Sequence, residues 1–239
     1  METSASRIEP GRVIGEAFQT YRDQVSAILG GALIVIGITS VINNLLGLTD
    51  SVILIFAGLI VALIGQVLYT GYVVKLVQDV RDGRRNHTMD ELFSAAAPYV
   101  STLILNGFVY GVAVFFGFLA LIVPGLILIT IWAVVAPCIV VEDKGVFEAF
   151  GRSRELVRGN GWRVFGTIVL AFLIVVVVAG VFGVTGASIG DAGRVILGTI
   201  GNVLVVPVEA LVAGILFFDL GGGRGRASTT RPSAEEPGV

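Results

Sequence analysis

Glu209 is the acidic residue whose position most suggests chemistry. It lies near the middle of an apolar run, where a carboxylate surrounded by lipid is costly. Pro207, two residues earlier, has no N–H group for a helical hydrogen bond and so frees a carbonyl one turn back, near Asn202. These residues predict either a site that binds a cation or relays a proton, or a protonated carboxyl that only joins helices.

Amide side chains are the other strongly polar groups within the apolar segments. In the purely structural alternative, Glu209 bonds to Asn106, to Gln66 or to the freed carbonyl. The candidate intramembrane polar residues are therefore Glu209, Asn202, Asn106 and Gln66. Gly107 and Gly111 have the spacing at which small residues let membrane helices approach closely, and we expect them to pack against a neighbouring helix.

The residue types used for catalysis and metal binding are scarce in this sequence. His87 and Cys138 are its single histidine and cysteine, and no nucleophile stands at a recognisable spacing from the histidine. The sequence also contains no glycine-rich phosphate loop. We therefore expect no catalytic site, no metal site and no cofactor, and so a protein that is not an enzyme. The net charge of −2 provides no basic excess, and nucleic acid is not an expected partner.

The composition indicates that lipid surrounds the elements that carry these residues. Hydrophobic residues make up 55% of the chain and charged residues 14%, whereas soluble domains carry about 25% charged residues. A spanning helix needs roughly 20 apolar residues, so the uncharged stretch 99–141 is long enough for two, divided at Pro124-Gly125. The predicted fold is an all-α polytopic membrane helix bundle, with six transmembrane helices arranged as three hairpins. The predicted spans cover about 25–46, 52–74, 100–121, 125–141, 163–186 and 195–218.

The distribution of positive charge predicts the orientation of the bundle. With six spans, fifteen of the 16 Lys and Arg residues fall on one side of the membrane, and only Arg194 falls on the other. Because positive charge is retained in the cytoplasm, both termini are expected there. The predicted domains are a six-helix membrane domain at 1–220 and a disordered cytoplasmic tail at 221–239, which is rich in Gly, Pro and Ser.

Three amphipathic segments precede the three predicted hairpins. They are expected to lie in the headgroup zone of the membrane or to cap the bundle from the cytosol. Each contains the pattern Glu-x-Phe, which predicts a unit of one amphipathic helix and one hairpin, used three times. The segments are 10–22, 88–98 and 145–158.

The third of these segments continues into a basic loop that is a candidate for binding lipid headgroups. Its arginines could hold lipid phosphates beside a tryptophan at the interface, or they could serve only to fix the topology. Membrane lipids are thus the expected partners, together with a possible membrane or cytoplasmic protein partner. The candidate headgroup residues are Arg152, Arg154, Arg158, Trp162 and Arg163.

A motif within 124–165 resembles a known family. It reads PGLILITIW…APCIVVE…EAFGRSRELVRGNGWRVF, and the sequence LFFDL at 216–220 matches the family's ending. It resembles the membrane-domain family named after glycerophosphoryl diester phosphodiesterases, and related uncharacterised six-helix proteins of the bacterial cell membrane. The resemblance implies a six-helix membrane protein without the phosphodiesterase itself, because that catalytic domain needs histidines and a barrel of its own. The residues that carry the motif are Pro124, Gly125, Pro137, Glu142, Ser153, Gly159 and Asp219.

Two functions follow as hypotheses from these features. The first is a non-enzymatic membrane protein with a role in lipid-associated organisation, sensing or scaffolding, supported by the basic loop and the amphipathic segments. The alternative is a transporter of a small solute, an ion or a lipid that uses a midplane site at Glu209.

Overall fold

A computed structural model of the protein describes residues 8–47, 51–83 and 88–222. Within these residues all regular elements are helical, and five helices are long and apolar enough to cross a membrane. A sixth span is present if two helices bent by 84° count as one. The chain therefore folds as a polytopic helical membrane bundle. Its helices are α1 Pro10–Asp23, α2 Val25–Ala32, α3 Ile38–Gly47, α4 Val52–Arg81, α5 Met89–Ala96, α6 Val100–Ala120, α7 Ile122–Ile131, α8 Val135–Glu142, α9 Val146–Val157, α10 Gly161–Ile189 and α11 Asp191–Asp219.

The first span is a helix that begins after a sharp bend. Helix α1 is amphipathic, and the chain turns by 84° before α2. A π-helical turn at Leu33–Gly37 joins α2 to α3, so that helical structure extends from 25 to 47, close to the predicted span. Thr39 lies just after the π turn, and its hydroxyl donates to the Val35 carbonyl within the turn at 2.8 Å.

The amphipathic helices α5 and α9 form where their patterns predict them. Before α5, the Thr88 hydroxyl accepts from the Glu91 N–H at 3.3 Å, and the Glu91 carboxylate accepts from the Thr88 N–H at 2.9 Å. This capping box satisfies two N–H groups at the start of the helix. Helix α9 ends at Val157, and Gly159 follows with a φ of 86°, a conformation that glycine adopts without strain.

The turn between α6 and α7 lies at Leu121, and the predicted break at Pro124-Gly125 is wrong. Leu121 is extended, whereas Pro124 lies in the first turn of α7. A missing N–H costs no hydrogen bond at that position, so the proline starts the helix instead of ending it. A Cβ on Gly125 would come within 2.6 Å of the Phe118 ring, which explains the need for glycine there.

The fourth span is also not the single helix predicted at 125–141. It divides into α7 and α8, with a turn at residues 132–134. Pro137 lies in the first turn of α8, where its ring would clash with a helical carbonyl one turn earlier. Ser153 of α9 closes the break: its buried hydroxyl accepts from the Val134 N–H at 3.3 Å and donates to the Ile131 carbonyl at 2.9 Å.

We expect Ser153→Ala to destabilise the protein by about 1–3 kcal/mol, because it leaves the Val134 N–H and the Ile131 carbonyl without this partner in a buried site. The measurement is the free energy of unfolding of the purified protein in detergent. Ser101→Ala is the matched control, since Ser101 is exposed, and we expect a change below about 0.5 kcal/mol. Equal losses in the two variants would contradict the role assigned to Ser153.

The second helices of the three hairpins meet at the centre of the bundle. Helix α4 packs against both α8 and α11, and α8 also contacts α11. Their facing side chains, among them Tyr69, Ile139 and Leu211, are fully buried. The first helices, α2–α3, α6 and α10, expose large apolar side chains outward, as expected for surfaces that face lipid.

The amphipathic helices are arranged cyclically around this centre. Helix α5 packs on α4 of the first hairpin, and α9 packs on α8 of the second. Helix α1 packs on α10 and α11 of the third hairpin, which closes the three units into a ring. The threefold repetition thus recurs in the contacts, but each amphipathic helix packs mainly on the hairpin that precedes it in this cyclic order, and not on the following one with which it was predicted to form a unit. The Glu-x-Phe side chains are less uniform: Phe93 stacks on Tyr72, Phe150 packs on Trp132, and Phe18 is half exposed.

Ion pairs connect α1 to the C-terminal ends of α4 and α11. Asp219 accepts from Arg12 at 2.7 Å and from Arg81 at 3.2 Å, and Arg81 also pairs with Glu16. The Asp219 side chain is only 6% exposed. This ionic cluster connects residues that lie 207 positions apart in the chain.

Candidate functional site

A cleft of about 360 Å³ surrounds Glu209. Four parts of the fold form its walls: α6, the α7–α8 break, α10 and α11. The polar side chains on its walls are those of Asn106, Tyr110, Trp132 and Glu209, and the remainder of the surface is apolar. We refer to it as the Glu209 cleft.

Two oxygen acceptors in the Glu209 cleft have no partner among the described residues. Glu209 is exposed on the cleft wall and forms no hydrogen bond or ion pair with another described residue. Asn106 is 8% exposed, and its buried side-chain oxygen has no hydrogen-bond partner there. The described residues that line the cleft include no lysine or arginine. A buried acceptor without a donor is costly, so this arrangement favours a ligand that donates hydrogen bonds.

Aromatic side chains hold one wall of the cleft. Trp132 lies in the turn between α7 and α8, with its ring 4.6 Å from Phe150 and 6.1 Å from Tyr110, measured between centroids. Phe172 of α10 lines the same cleft. The sequence analysis did not connect these aromatic residues with Glu209, because their contacts depend on the helix break that the sequence did not predict.

Gln66 and Asn202 line a different cleft, so the predicted polar set is divided. This second cleft, of about 490 Å³, lies between the first span, α4 and α11. Gln66 is therefore not a partner of Glu209, whereas Asn106 shares the Glu209 cleft. The sequence analysis missed the hydroxyl groups of this second cleft, since Ser and Thr in apolar helices commonly bond to their own backbone. They belong to Thr39, Ser40 and Thr199.

The basic loop contributes to a third site, a groove of about 700 Å³ between α7 and α10. Its apolar wall includes Leu126, Ile127 and Phe165, and its polar end includes Asn160 and Arg163. Trp162 also lines the groove and is 87% exposed. Two of the five predicted headgroup residues, Trp162 and Arg163, are thus brought together. We call this the α7–α10 groove.

The other predicted headgroup residues lie elsewhere. Arg152 forms a two-pronged ion pair with Glu142, at 2.8 Å from Nε and 3.1 Å from Nη2, and its hydrogen bonds to Glu142 raise the pKa of the guanidinium. Arg154 and Arg158 are exposed and do not line the α7–α10 groove. Arg152 therefore joins α9 to the end of α8, in the way that the arginines around Asp219 join α1 to α11.

The sequence profile of UPF0259, described as an uncharacterised protein family, matches residues 13–208. This chain belongs to the UPF0259 family. A UPF0259 membrane protein from Pectobacterium carotovorum subsp. carotovorum (strain PC1) is 35% identical over 105 residues, which are 44% of this chain and 41% of that protein. The chain thus spans about two fifths of the relative it matches, and no solved structure matches it.

Membership of UPF0259 supports the broader part of the resemblance found in the sequence, an uncharacterised membrane protein with a bacterial relative. The finer assignment to the glycerophosphoryl diester phosphodiesterase membrane-domain family stays a prediction. The structure gives the motif residues of this UPF0259 protein structural roles, in helix starts, a helix end, the capped break and the ion pairs. These residues are Pro124, Gly125, Pro137, Glu142, Ser153, Gly159 and Asp219.

Proposed function

We propose that this UPF0259 protein is a non-enzymatic, lipid-associated membrane protein that holds an anionic phospholipid in the α7–α10 groove. The observation that carries the proposal is the polarity of this groove along its length. Its wall along α7 is apolar except for Thr130, whose hydroxyl donates to the Leu126 carbonyl, and its other polar groups, including one arginine, lie at the start of α10. A phospholipid has the same division between acyl chain and headgroup.

The start of α10 adds favourable groups for a phosphate. The helix begins at Gly161 without a side-chain cap, so the N–H groups of Gly161 and Trp162 are open to an anionic ligand, whereas that of Arg163 donates to the Asn160 carbonyl at 3.0 Å. Arg163 lies in the first turn and lines the groove, where a basic residue near the membrane surface contributes about 1 kcal/mol to binding of anionic lipid. Trp162 beside it is a residue type enriched at membrane interfaces.

The orientation that suits this proposal places the basic end of the bundle in the cytoplasm. The headgroup would then belong to the cytoplasmic leaflet of the bacterial cell membrane, and both termini would lie on that side. Bound lipid at this position suits a role in organising or sensing membrane composition, or in presenting the amphipathic helices to a protein partner.

We expect Arg163→Gln to reduce the retained phosphatidylglycerol about fivefold, the equivalent of about 1 kcal/mol. The measurement is native mass spectrometry of protein purified from a mixture of phosphatidylglycerol and phosphatidylcholine. Arg154→Gln removes the same charge outside the groove, and we expect it to leave the lipid ratio nearly unchanged. Equal phosphatidylglycerol retention in both variants would overturn the proposal.

A further inference from the structure

We propose that the Glu209 cleft binds a small organic ammonium cation. This inference is independent of the lipid groove, since the two sites are lined by different residues. The cleft offers a carboxylate, an amide oxygen and aromatic rings within about 360 Å³. That volume lies within the range of roughly 300–1,000 Å³ of small-molecule sites.

The charge of Glu209 provides the first reason. A carboxylate in a membrane-spanning helix needs a counter-charge, and the described residues of the cleft supply none. An ammonium group would supply that charge and donate hydrogen bonds to the carboxylate at the same time.

Asn106 provides the second reason. Its buried side-chain oxygen accepts no hydrogen bond from a described residue. A proton on Glu209 would neutralise that side chain, but the structure shows no hydrogen bond from Glu209 to the Asn106 oxygen. After rotation of the Asn106 side chain toward the cleft, an N–H group of the ligand can satisfy its buried oxygen, and the ligand's carbon atoms can fill the apolar remainder.

The aromatic wall distinguishes an organic cation from a metal ion. Trp132, Tyr110 and Phe172 line the cleft, and organic cations bind favourably to aromatic rings. Hard metal ions instead need six or more oxygen ligands, and the described residues include no cluster of three His, Cys, Asp or Glu side chains that could hold one. The geometry therefore favours a primary alkylammonium ligand.

Trp132 makes the proposal testable by fluorescence, because the chain has two tryptophans and the other is Trp162. In a Trp162→Phe background, reconstituted in phosphatidylcholine nanodiscs, Trp132 is the remaining reporter. We expect n-butylammonium to change its emission saturably, and the neutral analogue 1-butanol to act at least tenfold more weakly. In the reverse variant, Trp132→Phe, the exposed Trp162 is the reporter. Its emission should show only a shallow, linear response to n-butylammonium, caused by partition of the amine into the membrane.

Substitutions then place the site. We expect Glu209→Gln to weaken n-butylammonium binding at least tenfold. Glu209→Asp keeps the carboxylate, and its dissociation constant should stay within about threefold of the parent value, a difference in binding free energy of less than about 1 kcal/mol. Asn202→Ala, in the second cleft, should leave binding within about twofold of its value in the parent. Equal responses to the amine and the alcohol, or unchanged affinity in Glu209→Gln, would overturn the proposal. The comparison of amine with alcohol uses unsubstituted Glu209 and decides the matter even if a variant fails to fold.

Discussion

Replacing Gly65 with leucine is expected to destabilise the protein by about 3 kcal/mol, at the upper end of the usual cost of overpacking. A Cβ at Gly65 would lie 2.6 Å from the Thr39 methyl group and 3.3 Å from a Val35 methyl group. Thr39 cannot rotate freely away, because its hydroxyl donates to the Val35 carbonyl within the π-helical region. The first span must therefore move away from α4. Unfolding in a series of denaturing-detergent mixtures would measure the loss of free energy.

Gly111→Leu is the control for this substitution. Gly111 was expected to pack closely, together with Gly107, but a Cβ at either position would meet no other described atom within 4 Å. That prediction is wrong for contacts within this chain, since Gly107 borders the open Glu209 cleft and Gly111 is exposed. Leucine has a higher helix propensity than glycine, so we expect Gly111→Leu to be neutral or slightly stabilising. A comparable loss of stability in both variants would show that close packing at Gly65 is not the cause.

Asp219→Asn is expected to cost about 2 kcal/mol of stability. The substitution keeps the shape of the side chain but removes the more buried of the two carboxylates that Arg12 and Arg81 share, the other being that of Glu16. Removing one partner of a buried ion pair costs about 3–5 kcal/mol, and water screens these partly exposed arginines enough to reduce that figure. The expected result is a lower free energy of unfolding and faster exchange of α1 amide hydrogens.

Glu155→Gln is the matched control for Asp219→Asn. Glu155 also pairs with an arginine, Arg152 at 3.5 Å, but its side chain is 72% exposed. Such a pair contributes less than about 1 kcal/mol, and we expect little change in stability. A double-mutant cycle between Asp219→Asn and Arg81→Gln should give a coupling of about 1 kcal/mol or more, because the two side chains are in contact. Additive effects would assign the loss to some other property of Asp219.

The break in the fourth span shows where prediction from the sequence stopped. Pro124-Gly125 is a strong turn signal, yet the turn lies at Leu121. A proline in the first turn of a helix costs no hydrogen bond, because the N–H groups there have no partner within the helix, so Pro124 is compatible with the start of α7. The segment 132–134 contains neither Gly nor Pro, yet the helix is interrupted there. Ser153, about 20 residues away, satisfies the interrupted backbone. Pro137, one turn after the break, is a local signal for the interruption, but no local pattern shows that Ser153 satisfies it.

The polar candidates show the same limit. Residue types and depths along the apolar runs identified Glu209, Asn106, Gln66 and Asn202. The rotation of each helix about its axis then decided that the first two share one cleft and the last two another. Of the basic residues, Arg152 was identified as a headgroup candidate, and the fold pairs it with Glu142.

The sequence by itself determined that this chain is a helical membrane bundle with amphipathic helices before its hairpins. Hydrophobicity, charge distribution and capping residues act over one or two helical turns and need no partner. The tertiary structure alone decided that α4, α8 and α11 form the centre, that α1 closes the ring on α11, and that Glu209 and Asn106 line one aromatic cleft. These features depend on contacts between side chains that are distant in the chain, and only the packed bundle brings them together.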